Sequence, residues 1–397
     1  SMRFVRPIRW LLAILDKEIV NFEIEGIKSS NMTRGHRFLS PASFQIKEIS
    51  SYIKLLANNH VIIDMAERER MISQKMEKIA ASVGGRPVRD EELLKTVANL
   101  IEYPVPVLGS FSEGYLSLPK ELLITVMKEH QKYFAIEIAE GGLTNHFVIT
   151  SNTNEDNSGT VKIGAERVIK ARFEDARLYF EEDRKKKLED RLEDLKNVTY
   201  QEKLGTLYDK VLRVAGTAEY LSSEINPSQK QKAKRAALIS KSDLLTGVVR
   251  EFPELQGIMG RYYAQNDGEE DDVAVALQEQ YLPSYHGGRL PETELGAILS
   301  MADKIDNVVS FFSIGLMPTG SEDPFALRRQ SLGIISILLA RGYAIPLKDL
   351  INEAAGNLDE EKSGEIKKAV LQFFEQRIEA VFAANYGTDA VRSVLTL

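Results

Sequence analysis

Hydrophobic and polar positions in the first part of the chain alternate in a way that predicts both strands and helices. Short apolar runs separated by turn residues predict strands at 4–5, 24, 105–108, 133–136 and 146–150. Helical spacing predicts helices at 49–56, 62–83 and 121–127, and Gly84-Gly85 is a natural end for the second. We therefore expect an α+β N-terminal domain over residues 1–165, with an exposed polar loop at 151–159.

The pattern becomes almost entirely helical after this domain. Two apolar stripes at helical spacing occupy residues 166–199, but their frame shifts across a charged run, which predicts one long helix or a hairpin of two as a connector. The later predicted helices are 204–221, 231–250, 271–280, 295–312 and 325–341. The chain is thus expected to be multidomain, with a mostly helical domain over 200–330 and a helical C-terminal segment over 331–397.

Composition narrows the class of protein. The 397 residues include 51 Lys and Arg, 58 Asp and Glu and no cysteine, for a net charge of −7. The absence of cysteine excludes disulfides and Cys-ligated metal sites. The longest apolar run, 332–340, is too short to span a bilayer. We expect a soluble, cytoplasmic protein without a membrane partner, in which any contact with RNA is confined to local basic patches.

Catalytic motifs are scarce in this sequence. Neither the glycine-rich phosphate loop nor the G-x-G-x-x-G turn is present, and the five histidines are far apart along the chain. No two imidazoles share a helix face at the spacing that a metal site needs. We therefore predict no catalytic residue and no metal site in this chain.

Two helical segments, 236–246 and 299–306, resemble signature helices of the HD superfamily of metal-dependent phosphohydrolases. Members of that superfamily hold metal with a histidine, a His-Asp doublet and a distant aspartate. Asp303 matches the distant aspartate, but Ser240-Lys241 occupies the doublet and the leading histidine is missing. A lysine ammonium repels a divalent cation, so the resemblance implies a degenerate HD-like domain. An active phosphohydrolase is the alternative, and Asp306 is expected on a solvated helix face.

Longer motifs resemble the β subunit of bacterial glycyl-tRNA synthetase. They occur in the same order over roughly residues 3–330 and are Thr33–Phe38, Glu129–Phe134, Glu202–Thr206, Glu251–Tyr263 and Gly315–Arg329. The resemblance implies a fragment of a longer subunit, without its N-terminal portion and its C-terminal anticodon-binding domain. It also suggests that residues 1–165 are similar to the B3/B4 module of phenylalanyl-tRNA synthetase, and that 331–397 lead to the missing domain.

The resemblance implies a role in tRNA charging. The family enzyme is an α₂β₂ class II ligase whose α subunit carries the ATP, magnesium and glycine site, while the β subunit recognises tRNA(Gly). The expected partners are therefore the α subunit and tRNA(Gly), and no cofactor is expected in this chain. A purely architectural subunit that never contacts RNA is a second alternative.

Arginine and lysine clusters are the candidate tRNA contacts, because phosphates need cations. Arg328 and Arg329 follow a turn at a predicted helix start, whose positive end favours anions; a salt bridge to the acidic loop 266–272 is the alternative. For the basic group at 232–235 the alternative is a solvated helix face. Trp10 is expected in the core. The predicted tRNA contacts are Arg34, Arg37, Lys232, Lys234, Arg235, Lys241, Arg328 and Arg329. For the motif formed by Arg34, His36 and Arg37, a structural role and a contact with the α subunit are the alternatives.

Overall fold

A computed structural model of the chain describes residues 8–153, 156, 158–320, 322–356, 358 and 360–395. The chain divides into two compact units, residues 1–177 and 178–397, which we call the mixed unit and the helical unit. The predicted strand at 4–5 and part of the predicted loop at 151–159 lie outside the described residues. The expected mixture of helices with smaller sheets is confirmed.

A four-stranded antiparallel sheet organises the mixed unit. Its order is Arg86–Pro87, Phe134–Glu137, Leu143–Ser151 and Val105–Ser110, so three of its strands fall where the apolar runs predict them. Ile136 and Val148 pack with Ile72 and Val97 of helices Met65–Ser82 and Glu91–Leu100 in one apolar core. Burial on one face of the sheet therefore explains its alternating pattern.

Smaller elements complete the mixed unit. Its short strands are Leu11–Leu12, Ile14–Leu15, Glu18–Ile19, Glu23–Ile24, Ile27–Ser30, Met32–Arg34 and Ser43–Gln45. Its remaining helical segments are Ile49–Ser51, Tyr52–Asn58, Glu113–Ser117, Lys120–Thr125, Val126–His130 and the start of Thr160–Asp183. Helix Glu91–Leu100 was not predicted, although Asp90 caps it by accepting a hydrogen bond from Leu93 N at 2.8 Å.

The helical unit packs around one central helix, Glu294–Ser313, which is buried along almost its whole length. A two-stranded ribbon, Thr199–Gln201 with Gly205–Thr206, precedes the other helices. Those helices are Leu207–Ile225, Lys230–Ile239, Gly247–Glu251, Ile258–Asp267, Asp271–Glu279, Leu327–Arg341, Leu347–Ala354, Glu360–Tyr386 and Thr388–Leu395, with 3₁₀ turns at Pro227–Gln229, Ser242–Leu245 and Pro253–Leu255. None of the described helices is long and apolar enough to cross a bilayer.

Two predicted long helices are wrong. Helix Thr160–Asp183 does not continue into a second connector helix, because the chain turns into two 3₁₀ segments, Glu189–Arg191 and Glu193–Asn197. The predicted helix 231–250 also breaks, after Ser240. In both places the apolar residues are present as predicted, but they lie on short turns and short helical segments rather than on one continuous helix.

Asp183 fixes the second of these breaks. Its buried carboxylate accepts hydrogen bonds from the backbone N–H groups of Gly247 (2.7 Å) and Val248 (3.0 Å) and from the Tyr263 hydroxyl (2.8 Å). It thereby binds the first amides of helix Gly247–Glu251, where a negative charge is favourable.

We predict that Asp183→Ala lowers the free energy of unfolding by about 2–4 kcal/mol, because three hydrogen-bond donors, two of them buried, lose a charged acceptor. Urea denaturation measures this change. Glu182→Ala, which removes an exposed carboxylate from the neighbouring position, is the matched control and should change stability by less than about 0.5 kcal/mol. Equal effects of the two substitutions would contradict the capping role of Asp183.

Candidate functional site

Three lysines and two aspartates meet in the interior of the helical unit. Their side chains come from three separate stretches of chain, and all five residues are buried. Charged residues are almost never buried unless they are paired, so this group is the strongest candidate for a specialised site. We call it the lysine–aspartate cluster, and its members are Lys210, Lys241, Asp303, Lys304 and Asp306.

Asp303 lies at the centre of the cluster. Its Oδ1 is 3.1 Å from Lys241 Nζ and 3.2 Å from Lys210 Nζ. Lys210 Nζ also donates a hydrogen bond to Asp306 Oδ2 at 3.0 Å. Because Asp303 and Asp306 are three residues apart, they share one face of helix Glu294–Ser313 and both face the same lysine.

Local sequence explains how Lys210 reaches this position. Thr206 and Asp209 form a capping box: Asp209 N donates to Thr206 Oγ1 at 3.3 Å, and Thr206 N donates to Asp209 Oδ2 at 2.8 Å. The box starts helix Leu207–Ile225, and Lys210 follows in its first turn. The start of this helix therefore sets where the ammonium group enters the interior.

The other two lysines are held by neutral acceptors. Lys241 Nζ donates to Gln280 Oε1 at 2.7 Å and lies 4.6 Å from the centre of the Tyr281 ring. Lys304 Nζ donates to the carbonyl oxygens of Gln280 (3.0 Å) and Leu282 (2.8 Å), and to a serine hydroxyl. Each buried ammonium group thus has acceptors within the protein, as a buried charge requires.

Asp306 does not lie on a solvated helix face, and that prediction is wrong. Asp306 is only 2% exposed. Arg213 Nε lies 2.6 Å from its Oδ1, and Lys210 donates to its Oδ2. Two cations replace the water that this carboxylate gives up on burial.

Burial and the neighbouring charges shift the pKa values of the residues in the lysine–aspartate cluster. Burial favours the neutral form of Asp303, but the ammonium groups of Lys210 and Lys241 outweigh burial and hold its pKa well below the usual range. Burial likewise opposes the charge on Lys210, yet Asp303 and Asp306 raise its pKa. The pKa of Lys241 is lowered by burial and by the neighbouring Lys210 charge, against the attraction of Asp303.

Of the predicted degenerate HD positions, Lys241 and Asp303 come together, but the Ser240 side chain does not join them. The Ser240 hydroxyl donates to the carbonyl of Ala237 at 2.7 Å, and Lys241 contacts Asp303 directly. A divalent cation needs several oxygen or nitrogen ligands, whereas Asp303 has ammonium groups beside it. In the described part of the chain no three His, Asp or Glu side chains are arranged to hold a metal ion.

Arg329 lies beside the cluster, at an open cavity of about 380 Å³. Asp303, Lys304 and Asn307 are among the residues that line it together with Arg329. Arg329 is exposed and Arg328 is half-buried. Neither forms an ion pair with a described carboxylate, so the predicted alternative of a salt bridge to the loop 266–272 is not observed in the described ranges.

The helix start beside these arginines is not free to bind an anion. Asp323 accepts hydrogen bonds from the backbone N–H groups of Leu327 (2.8 Å) and Arg328 (2.9 Å). The expected contribution from the positive end of helix Leu327–Arg341 is therefore already used by an internal carboxylate.

The basic group at 232–235 is neutralised by acidic neighbours. Its side chains are half-buried or exposed, and each forms ion pairs within the helical unit. The pairs are Lys232–Glu270 (2.6 Å), Lys232–Asp272 (2.8 Å), Lys234–Glu219 (3.3 Å), Arg235–Glu269 (2.5 Å) and Arg235–Glu189 (2.9 Å). Its positive charge is thus largely balanced before RNA could approach.

The remaining predicted contacts fall in two different environments. Lys241 is an internal charge, which a phosphate at the surface cannot reach. Arg34 and Arg37 are exposed in the mixed unit. Trp10 is not a core residue as predicted, since 43% of it is exposed and the Arg34 guanidinium lies 5.7 Å from its ring centre.

Sequence reasoning missed several members of the site, namely Lys210, Arg213 and Lys304. A signal was present for the partners of Lys210, because aspartates in the middle of the apolar stretch 295–312 must be buried with cations. Nothing in the sequence, however, indicates which distant lysine or arginine supplies the charge.

We predict that Asp303→Ala lowers the free energy of unfolding by about 3–5 kcal/mol, because it leaves buried ammonium groups without their shared carboxylate. Asp271→Ala, which removes an exposed carboxylate from the same unit, should cost less than about 1 kcal/mol. Urea denaturation of both variants measures these changes. Comparable losses of unfolding free energy would contradict a stabilising role of the cluster.

Lys304 should make stability depend on pH. Burial lowers its pKa from 10.5 to about 7, an effect that Asp303 partly offsets. Between these pH values the unfolded chain binds a proton that the folded chain does not, so stability rises with pH. We expect the wild-type chain to gain about 2 kcal/mol more than Lys304→Met between pH 7 and 9. Lys230→Met, at an exposed position, should retain the wild-type slope; a wild-type slope in Lys304→Met would contradict this assignment.

Comparison with known proteins agrees with the motifs. The family described as glycyl-tRNA synthetase beta subunit matches residues 1–396. Proteins named glycine–tRNA ligase beta subunit are 46% identical over 99% of this chain in Thermodesulfovibrio yellowstonii, 43% over 100% in Citrifermentans bemidjiense and 45% over 100% in Syntrophus aciditrophicus. The chain spans 58% of the length of each of these relatives. It therefore belongs to the glycyl-tRNA synthetase β-subunit family.

Proposed function

We propose that this member of the glycyl-tRNA synthetase β-subunit family binds tRNA(Gly) and positions it for ATP-dependent glycylation. In this proposal the reaction takes place on an α subunit, which holds ATP and magnesium, within a cytoplasmic α₂β₂ assembly. The names of the relatives support the ligase assignment. The chain itself contributes binding rather than chemistry.

The observation that carries the proposal is the unpaired charge at Arg328 and Arg329. These arginines have no described carboxylate partner, unlike the neutralised group at 232–235. Arginine presents a planar set of donors that suits phosphate. An anionic partner such as an RNA backbone would satisfy both guanidinium groups.

A third arginine, Arg377, adds to the positive charge of Arg328 and Arg329. The pKa of Arg377 is lowered by burial and then by the positive charge of Arg328, while the Asp323 carboxylate acts in the opposite direction. Arg377 is anchored by a 2.7 Å hydrogen bond to the Phe373 carbonyl. Concentrated like charge raises the local attraction for a polyanion. We call Arg328, Arg329 and Arg377 the arginine patch.

The lysine–aspartate cluster supports this patch in the proposal. A degenerate HD-like centre filled by ammonium groups cannot polarise a phosphate through a metal, which argues against an active phosphohydrolase. It can instead hold helix Glu294–Ser313 rigidly beside the cavity that Arg329 lines. A rigid support reduces the entropy lost on binding.

We predict that Arg328→Ala/Arg329→Ala weakens tRNA(Gly) binding at least about tenfold at 100 mM salt, since two phosphate contacts are lost. The slope of log affinity against log salt concentration should also fall by about 1.8, at about 0.9 for each contact. Filter binding at several salt concentrations measures both effects. The matched control is Lys232→Ala/Lys234→Ala, which removes two neutralised charges and should weaken binding less than about threefold.

The same variants in the full-length β subunit test the role in charging. With the α subunit present, the arginine double variant should raise the KM for tRNA(Gly) and leave the KM for ATP unchanged. Unchanged tRNA affinity, with folding intact by circular dichroism, would remove the arginine patch from the proposal. If the wild-type chain also fails to bind tRNA at low salt, the architectural alternative is favoured.

A further inference from the structure

A second basic surface lies in the mixed unit, far along the chain from the arginine patch. An open cavity of about 560 Å³ is lined by three arginines, Arg9, Arg34 and Arg37, together with Trp10 and a single described carboxylate, Glu102. None of the three arginines forms an ion pair with a described residue. Because isolated surface arginines commonly find acidic neighbours, a cavity with this excess of positive charge favours an anionic ligand.

Exposed aromatic rings accompany these arginines. The Arg34 guanidinium lies 5.7 Å from the centre of the Trp10 ring, and Arg37 lies 5.5 Å from the centre of the Phe38 ring. Trp10 is 43% exposed and Phe38 is 70% exposed. Large aromatic rings are costly to leave in water, so two of them beside unpaired arginines indicate a surface that a planar, anionic ligand covers.

A buried histidine holds the turn that carries two of the arginines. His36 is 1% exposed, and its Nδ1 accepts hydrogen bonds from the backbone N–H groups of Phe38 (3.3 Å) and Leu39 (3.2 Å). The backbone N–H of His36 donates to the Asn59 carbonyl oxygen at 2.9 Å. Arg34 and Arg37 flank this anchored residue, so the turn presents them in fixed positions.

Close packing explains why the turn begins with glycine. A Cβ on Gly35 would lie 2.7 Å from Asn59 Cβ and 2.9 Å from the Ser40 carbonyl oxygen, which are closer than real contacts allow. The Ser40 hydroxyl also donates to Asn59 Oδ1 at 2.6 Å. The backbone between the two arginines is therefore fixed against the neighbouring loop, and little ordering is needed on binding.

We propose that this surface binds an unpaired stretch of RNA, with a base stacked on Trp10 and adjacent phosphates held by Arg34 and Arg37. Single-stranded RNA offers both features, because its bases are free to stack on aromatic rings while its backbone meets arginines. Duplex RNA keeps its bases stacked on one another and cannot use the tryptophan. The inference rests on the proposed function only in that both concern RNA, and it names a separate surface.

Trp10 is the only tryptophan in the chain, so it reports directly on this site. The experiment titrates the chain with an eight-nucleotide single-stranded RNA of mixed sequence and follows tryptophan emission. Stacking should quench that emission saturably, and the same RNA annealed to its complement should not. Absence of saturable quenching, or equal quenching by the duplex, would overturn the proposal.

Variants then test each component by anisotropy with the same RNA carrying fluorescein. Trp10→Ala should weaken binding about tenfold, in line with the loss of one base stack, and Trp10→Phe should stay within about threefold of wild type. Arg34→Ala/Arg37→Ala should weaken binding and reduce the salt slope by about 1.4, at about 0.7 for each phosphate contact.

The control is Arg70→Ala/Arg86→Ala, which removes two exposed arginines of the same unit that are already paired with Glu67 and Glu137. If Trp10→Ala and Arg34→Ala/Arg37→Ala bind as tightly as this control, the proposal is overturned. Quenching at Trp10 together with unchanged tRNA affinity of Arg328→Ala/Arg329→Ala would remove the arginine patch from the proposed function and leave this inference standing. Loss of tRNA affinity in that variant without quenching at Trp10 would defeat only this inference.

Discussion

The helical unit depends on one buried arrangement, the Asp303 carboxylate between the ammonium groups of Lys210 and Lys241. Desolvating an isolated charge costs several kcal/mol, so none of these groups could be buried alone. Together they join three stretches of chain at the central helix, and Asp306 adds a second link through Lys210 and Arg213. The unit thus holds these buried carboxylates with ion pairs between its own side chains.

These buried ion pairs also limit what chemistry the interior of the unit can perform. An ammonium group can compensate a carboxylate, but it cannot supply the open coordination positions that metal-assisted hydrolysis needs. The interior is therefore suited to holding helices in place. The unpaired arginines lie outside it, in the arginine patch and on the turn around His36. In the proposed account the charges buried in the cluster are structural and the unpaired surface charges are the ones that meet RNA.

Much of the architecture could be predicted, for reasons that individual segments make clear. Strands 105–108 and 146–150 follow from their apolar runs, and helix Met65–Ser82 from its spacing and the glycines after it. The breaks after Asp183 and Ser240 could not be predicted, because an apolar stripe looks the same whether a helix or a set of turns buries it. The apolar run at 10–15 predicts a core position for Trp10, but strand Leu11–Leu12 beside it is itself only half-buried. The resemblance to the HD signature helices indicates Lys241 and Asp303, but no pattern in the sequence indicates that Lys210 pairs with both aspartates. The predicted tRNA contacts at Arg34, Arg37, Arg328 and Arg329 stay predictions.

The most direct test of the central claim is a measurement of divalent-metal binding by the chain. Calorimetric titration with Mn²⁺, with elemental analysis of the purified protein, reports affinity and stoichiometry together. If ammonium groups occupy the place of a metal, no stoichiometric metal should co-purify, and Mn²⁺ should bind no more tightly than it does to Asp303→Ala. One tightly bound metal per chain that is lost in Asp303→Ala would contradict the account.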